Sequence, residues 1–161
     1  MTFQQLGAAT IEERLLRMLI HSDGVATGED TDSVHHMRVA SRRLRAAISV
    51  FEPAFGSSDF DKFEQDVKFV TDSLGEARDL DVMLLELQEL TLQIPESDRS
   101  ILEEVIDAKI EMRRMMQKRV RIALERTAKK DLPGRWVKIE ASEIVSVKAE
   151  EVSLEETAKD I

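Results

Sequence analysis

The chain has 161 residues and a formal net charge of −9, with 42% hydrophobic and only 4% aromatic residues. Its length supports one domain with a hydrophobic core, and its few glycines, prolines and aromatic residues favour helices over a β-sandwich or barrel. The lack of cysteine excludes disulfides and cysteine-based zinc sites. Because no segment resembles a signal peptide or approaches the roughly 20 apolar residues of a spanning helix, we expect a cytoplasmic protein with no membrane partner.

Two helices are predicted in the first third of the chain. A capping-box pattern places the start of the first helix at Thr10, and this helix ends near His21. A polar loop follows, and Asp32 or Ser33 then caps a second helix. The second helix ends near Phe51, because a proline two residues later disfavours helix at the position between them.

The central part of the chain predicts two further helices separated by a glycine. Apolar residues recur every three or four positions in a core stripe formed by Phe60, Phe63, Val67, Val70 and Leu74. We expect Gly75 to end this third helix. A fourth helix then runs from about Ala77 to Leu90, with Asp79 and Asp81 in its first turn, where the helix dipole favours acids.

A fifth, longer helix is predicted from residues 95–98 to a stop at 132–134. Its inner stripe is interrupted by Lys109 and Arg113, and a cation at a buried position must reach solvent, pair with an acid or hold an anion. The apolar members of this stripe are Leu102, Val105, Ile106, Met116, Val120 and Leu124. Residues 135–161 admit a strand or a helix, with a capping-box pattern at 153–156. The predicted fold is all-α, an antiparallel bundle of four or five helices with short connections.

The charges along the chain are segregated. Residues 34–50 carry four arginines and no acid, and residues 99–130 are also basic, whereas the rest of the chain is acidic. At about 100° per helical residue, one side of the second helix presents a cationic stripe formed by His35, Arg38, Arg42 and Arg45. Another side carries an apolar stripe formed by Met37, Ala40, Leu44, Ile48 and Phe51. Arginine suits phosphate oxygens, so the stripe predicts an anion site; the alternative is a solvated face paired with carboxylates from elsewhere.

The histidines leave several roles open. His35 could bind an anion, ligate a metal, act as an acid or base, or be structural. His36 lies about 100° further round the helix, on the side of Arg43, so the two adjacent histidines do not offer two ligands on one face. We expect His21, at a helix end, to interact with the helix dipole.

A second motif, LGEARDLDV, occupies residues 74–82. On a helix Asp79 and Asp81 point about 200° apart and do not readily clamp one metal ion, so helix capping by Asp79 is the simpler interpretation. Arg78 could help to close an anion pocket. The chain has no glycine-rich phosphate loop, HExxH motif or nucleophile elbow, so the cationic stripe indicates binding more than catalysis, and we expect no cofactor and no metal site.

Both motifs resemble those of the CHAD domain, the conserved histidine α-helical domain, whose members bind inorganic polyphosphate. The resemblance lies in HxxRVxxRRLR at residues 35–45 and in Lys68 followed by LGxARDLDV, and it extends over about residues 8–130. It implies two pseudo-symmetric bundles around a basic groove, of which this chain shows only the N-terminal half, because no histidine follows His36. Residues 1–132 are then a CHAD-like bundle, and 133–161 are a C-terminal extension or the start of a second half.

The resemblance implies a polyphosphate site lined by His35, Arg38, Arg42, Arg45, Lys68 and Arg78. Arg43 flanks this site, and Asp79 and Asp81 orient basic side chains. The interrupted stripe of the fifth helix adds Lys109 and Arg113 as candidates.

The leading hypothesis is a noncatalytic module that binds inorganic polyphosphate in a basic groove, as a homodimer whose second copy supplies the missing half. Nucleic acid is not an expected partner, because the acidic exterior repels long nucleic acids. One alternative is a metal-assisted phosphohydrolase acting on a phosphorylated small molecule, with His35 as acid or base and Asp79 or Asp81 at the metal. The other is a helical protein-interaction domain.

Overall fold

The computed structural model describes residues 1–28 and 31–143, and none of these residues lies in a β-strand. Helices α1 to α5 span Phe3–Leu19, Ser22–Thr27, Thr31–Phe51, Ser58–Gln93 and Arg99–Lys129, and α6 is described over 132–143. Short 3₁₀ turns at Glu52–Ala54 and Glu96–Asp98 precede α4 and α5. The predicted all-α bundle is confirmed, with six described helices where four or five were expected.

The core forms where α1, α3, α4 and α6 meet. The predicted stripe of α4, from Phe60 to Leu74, is fully buried, and so are Met37, Leu44 and Ile48 in α3. Helix α1 packs against α3, α3 against α4, and α4 against α5. The α5 stripe reaches the core only near its C-terminal end, where Val120 is buried. Alternation of apolar and charged residues at helical spacing thus fixes which face of each helix turns inward.

Helix α1 begins earlier than predicted. Its N-cap is Thr2, whose hydroxyl accepts a hydrogen bond from the Gln5 backbone N–H at 3.1 Å, while the Gln5 side chain accepts one from the Thr2 N–H. Thr10 lies inside the helix and donates to the Leu6 carbonyl oxygen at 2.7 Å. The prediction of a cap at Thr10 is therefore wrong, because Thr2 and Gln5 provide the same capping chemistry about two helical turns earlier and the intervening Ala8 packs in the core.

The predicted loop after α1 contains a short helix, α2. Val25 is fully buried and anchors α2, which packs against α3 and α5. Gly28 ends α2 in the left-handed conformation with φ of 70°, a conformation that glycine adopts without steric cost. Helix α3 begins at Thr31, so Asp32 and Ser33 lie in its first turn rather than at the predicted cap.

Helix α4 is continuous for 36 residues, so the predicted break at Gly75 is wrong. A glycine inside a helix costs about 1 kcal/mol relative to alanine, and burial of apolar residues on both sides of Gly75 outweighs that cost. Asp79 and Asp81 therefore lie well inside one helix of about 54 Å. Beyond Asp81, no residue of α4 is buried, and in α5 no residue before Val120 is buried.

The segment predicted to end α5 instead begins α6. Helix α5 ends at Lys129, and Asp131, with φ of 47°, accepts a hydrogen bond from the Gly134 backbone N–H at 3.2 Å. Pro133 lies in the first turn of α6, where a missing N–H costs no helical hydrogen bond. Residues 135–143 are helical rather than extended; the capping-box pattern at 153–156 lies outside the described residues. None of the described helices has the length and apolar composition needed to cross a membrane.

Candidate functional site

Helix α3 presents cations on two different sides. Its buried stripe fixes its rotation, so that Arg38 and Arg45 face α4 while His36 and Arg43 face α1. Arg42 lies between these two sides and lines one depression with Arg45 and another with Arg43. The side facing α4 holds Arg38 and Arg45 of the predicted cationic stripe, with Arg42 at its edge, and it is called the α3–α4 groove.

At one end of the α3–α4 groove, Arg38 lies across the surface of α4 at Gly75. A Cβ atom at residue 75 would lie 3.0 Å from an Arg38 guanidinium nitrogen, so the absence of a side chain lets the guanidinium approach the helix backbone. The other terminal nitrogen lies 3.8 Å from an Asp79 carboxylate oxygen. Gly75, at which a helix break was predicted, therefore leaves room for the Arg38 guanidinium.

Further along the groove, Arg45 faces a second acid of α4. Its guanidinium lies 3.4 Å from an Asp72 carboxylate oxygen. Arg42 and Arg45 also line an open depression with Ser49 and Glu64. The acids missing from α3 are thus supplied by α4, which partly supports the alternative of a face paired with carboxylates.

The other residues predicted for this groove have fewer contacts. Lys68 is exposed on α4, four residues before Asp72 and so on the same helix face. Arg78 is half-buried on α4, and neither cation has an ion pair among the described residues. His35 is exposed near the start of α3, with its ring centroid 5.5 Å from that of His36.

Arg113 belongs to a separate network between α4, α5 and α2. Its Nε donates to the buried Asp81 carboxylate at 2.6 Å, and one terminal nitrogen donates to Gln117 at 2.9 Å. The Gln117 amide in turn donates to the Val25 carbonyl oxygen at 2.8 Å. Of the three outcomes expected for a cation in the α5 stripe, Arg113 shows pairing with an acid. Lys109 reaches solvent, and its nearest described partner is the Met112 sulfur at 4.0 Å.

The two aspartates of the second motif have different surroundings. Asp79 is 74% exposed beside Arg38, whereas the Asp81 side chain is 5% exposed and bonded to Arg113. They project in different directions from one helix, as the spacing predicts. The interpretation of Asp79 as a helix cap is wrong, because α4 is continuous there. Each aspartate lies beside an arginine.

A family model for the CHAD domain matches residues 9–160. The chain belongs to the CHAD family. The match covers nearly the whole chain and continues 30 residues beyond the end at residue 130 that the two motifs indicated, so the predicted extent was too short. Neither a curated protein nor a solved structure matches the chain.

The CHAD domain also contains a basic cavity that the sequence did not reveal. Between α1 and α3, Arg14 and Arg17 face His36 and Arg43, and His21 closes one end. The His21 and His36 rings are stacked, with centroids 5.6 Å apart. No local pattern marks this cavity, because it depends on how α1 is rotated against α3.

A further cluster missed from sequence fixes the C-terminal helices of the CHAD domain to α4. The buried Asp66 carboxylate accepts hydrogen bonds from Lys130 at 2.6 and 2.8 Å and from Arg135 at 2.5 Å, and Arg126 lies 3.3 Å away. Burial raises the pKa of Asp66, but the bonds and charges of Lys130 and Arg135 outweigh it and hold the pKa below its ordinary value. This cluster is saturated with partners and holds the fold together.

In the α3–α4 groove, the guanidinium groups of Arg38 and Arg45 lie opposite carboxylates of α4 at distances longer than a strong hydrogen bond. Guanidinium groups bind tetrahedral oxyanions through several N–H donors at once. Among residues 1–28 and 31–143, no three histidine, aspartate or glutamate side chains are grouped as a metal site would require. Guanidinium groups in this arrangement can contact an anion.

Proposed function

We propose that this CHAD domain binds inorganic polyphosphate in the α3–α4 groove without catalysis. The observation that carries the proposal is the alignment of Arg38, Arg42 and Arg45 along one side of α3, a helix segment with no acid of its own from residue 34 to 50. Successive phosphates of a linear polyanion can contact these arginines in turn. Such multivalency raises affinity above that of one contact.

The acids of α4 do not prevent this binding. The pair of Arg38 with Asp79 is 3.8 Å long, and the pair of Arg45 with Asp72 is 3.4 Å long; both acids are exposed. Exposed ion pairs contribute about 0–1 kcal/mol, whereas a hydrogen bond to a charged group contributes about 1.5–3 kcal/mol. A phosphate can therefore replace the carboxylates as the hydrogen-bond acceptor of Arg38 and Arg45. When no phosphate is bound, Asp79 and Asp72 hold these arginine side chains extended.

The proposed site comprises the α3–α4 groove residues, namely His35, Arg38, Arg42, Arg45, Lys68 and Arg78. Arg113 is not included, because its side chain is mostly buried and two of its N–H donors bind Asp81 and Gln117. Lys109 is not included either, since it lies one helical turn beyond Arg113 on α5.

The phosphohydrolase alternative receives less support from the geometry. It requires Asp79 or Asp81 to hold a metal near His35, yet Asp81 is buried against Arg113 and projects from a different side of α4 than Asp79.

The net charge of −9 favours a compact inorganic polyanion over a long nucleic acid. The protein-interaction alternative would require a partner with an acidic surface.

Calorimetric titration with polyphosphate tests the proposal. We expect saturable binding that weakens as salt rises, and losses of about 1–3 kcal/mol in binding free energy for Arg38→Ala and for Arg42→Ala, the scale of one charge-assisted contact. Arg114→Ala on the exposed face of α5 is the control with the same charge change, and it should bind like the parent. Unchanged affinity in both α3 variants, with helicity retained, would remove the groove from the site.

Two further measurements separate the alternative functions. Phosphate release from tripolyphosphate on adding Mg²⁺ or Mn²⁺ would support the phosphohydrolase. Equal affinity for single-stranded DNA at matched salt would show a general polyanion surface rather than a polyphosphate site.

We also propose that two copies associate through the end of α4 that follows Asp81 and the start of α5 that precedes Val120. These segments contain no buried residue apart from the partly buried contacts between them, and they expose apolar side chains, among them Leu85 at 54% and Ile101 at 73% exposure. Arg113 is paired within its own chain, so the support comes from these apolar side chains and not from a buried cation.

Light scattering at tens of micromolar should therefore give the mass of two chains. The double variant Leu85→Glu/Ile101→Glu should give the mass of one chain while keeping its helicity, because both positions are exposed and contribute little to the monomer core. A single-chain mass for the parent protein, with and without polyphosphate, would contradict association.

A further inference from the structure

The cavity between α1 and α3 is lined by three arginines and two histidines. It has a volume of about 340 Å³, and the side chains of Arg14, Arg17, Arg43, His21 and His36 line it above a floor that includes Val39. No aspartate or glutamate lines it. It is called the α1–α3 cavity.

The arginines of the α1–α3 cavity are less neutralised than those of the α3–α4 groove. Arg17 pairs with Glu13 at 2.7 Å on an exposed turn of its own helix, while Arg14 and Arg43 have no ion pair among residues 1–28 and 31–143. In the groove, by contrast, Arg38 and Arg45 each face an acid of α4. Unpaired guanidinium groups facing each other across a cavity repel, and an anion between them removes the repulsion.

The cavity and the groove are joined across α3. Arg43 lines the α1–α3 cavity and also a shallow depression that it shares with Arg42. Arg42 in turn lines the depression of the α3–α4 groove beside Arg45. Adjacent arginines at positions 42 and 43 therefore carry a basic surface from one side of the helix to the other. Arg14 extends this surface along α1 through a depression shared with Arg43.

The stacked histidines lie at the far end of this surface. Their rings have centroids 5.6 Å apart and an interplanar angle of 27°. A neutral imidazole still offers one N–H donor, so the pair can contribute hydrogen bonds to phosphate oxygens without being protonated.

We propose that a polyphosphate chain bound in the α3–α4 groove crosses α3 at Arg42 and Arg43 and continues into the α1–α3 cavity, where Arg14, Arg17, His21 and His36 bind its further phosphates. This inference rests on the proposed function of the groove. It makes affinity depend on chain length, because only a chain that spans both depressions gains the second set of contacts.

The test compares tripolyphosphate with long-chain polyphosphate on the full chain and on the variant Arg14→Gln/Arg17→Gln. We expect the variant to bind long-chain polyphosphate at least about tenfold more weakly, the factor that one charge-assisted bond represents. Its affinity for tripolyphosphate should change by less than about twofold, because salt screens the effect of removing two charges that lie outside the α3–α4 groove. Arg114→Gln/Arg121→Gln removes the same charge from exposed positions on α5 and should leave both affinities at parental values.

Nuclear magnetic resonance gives a second readout, since the chain has only three histidines. Long-chain polyphosphate should shift the ring signals of His21 and His36, and tripolyphosphate should leave the His21 signal in place. Equal loss of affinity for both probes in the Arg14/Arg17 variant, or no loss for either, would overturn the path across α3. If the parent chain binds neither probe, the proposed function itself fails, an outcome distinct from both of these.

Discussion

Replacing Trp136 with alanine should lower the free energy of unfolding by about 3–5 kcal/mol, the range for deleting a large buried aromatic side chain. Trp136 is fully buried in α6, and its ring centroid lies 5.2 Å from that of Phe63 and 5.5 Å from that of Phe55. The loss combines lost contacts with the cavity left between α4 and α6. Against a typical total stability of about 5–15 kcal/mol, it is large enough to leave part of the protein unfolded.

Urea denaturation followed by circular dichroism measures this effect, because the variant lacks the only tryptophan and has no intrinsic tryptophan fluorescence. Val137→Ala is the matched control: the neighbouring side chain is 55% exposed, and its removal should cost no more than about 0.5 kcal/mol. A loss below about 1 kcal/mol in Trp136→Ala would mean that α6 does not pack on the core.

The second large effect is expected for Asp66→Asn. Removing one partner of a buried ion pair costs about 3–5 kcal/mol. Because Arg126, Lys130 and Arg135 remain 24–51% exposed and can be hydrated in the variant, we expect a loss near the lower limit, about 3 kcal/mol. Glu111→Gln, which breaks an exposed pair with Arg114, should change the unfolding midpoint little.

The effect of Asp66→Asn should also depend on pH. The folded protein holds the pKa of Asp66 below the ordinary value of 3.8, so the carboxylate adds stability above that pH, and the stability is lost as the pH falls through the folded pKa. Urea midpoints measured from pH 7 downward should therefore converge for parent and variant below about pH 4. A difference that stays constant across this range would show that the cost arises from packing and not from charge.

Helical periodicity identified the buried faces of α3 and α4, because it depends only on residues in one segment, whereas most of the stripe predicted for α5 lies outside the core. The stripe from Phe60 to Leu74 and that of Met37, Leu44 and Ile48 are buried as predicted. The error at Gly75 has a physical cause. Local propensity disfavours glycine in a helix by about 1 kcal/mol, whereas the contact with Arg38 that accounts for a glycine at this position joins residues 37 positions apart. Helix propensity describes the preference of a residue within its own segment and not its contacts with other helices.

The candidate site was predictable only in part for the same reason. Arg38, Arg42 and Arg45 share one helix, so their alignment follows from spacing alone. The opposing acids Asp72 and Asp79 lie on α4, and the sequence does not state how α4 is rotated against α3. The α1–α3 cavity also needs two helices to be placed together.

Helix α4 is continuous, yet its inner and outer segments differ in local stability. Up to Asp81 the helix is held by the core, whereas the segment from Val82 to Gln93 contacts mainly α5 and has no buried residue. Backbone hydrogen bonds in the outer segment can open without disturbing the core, so its amides exchange with solvent through local fraying, while those of the inner segment exchange through opening of the whole bundle. A single helix thus belongs to two cooperative units, and the boundary between them lies at Asp81, where Arg113 ties α4 to α5.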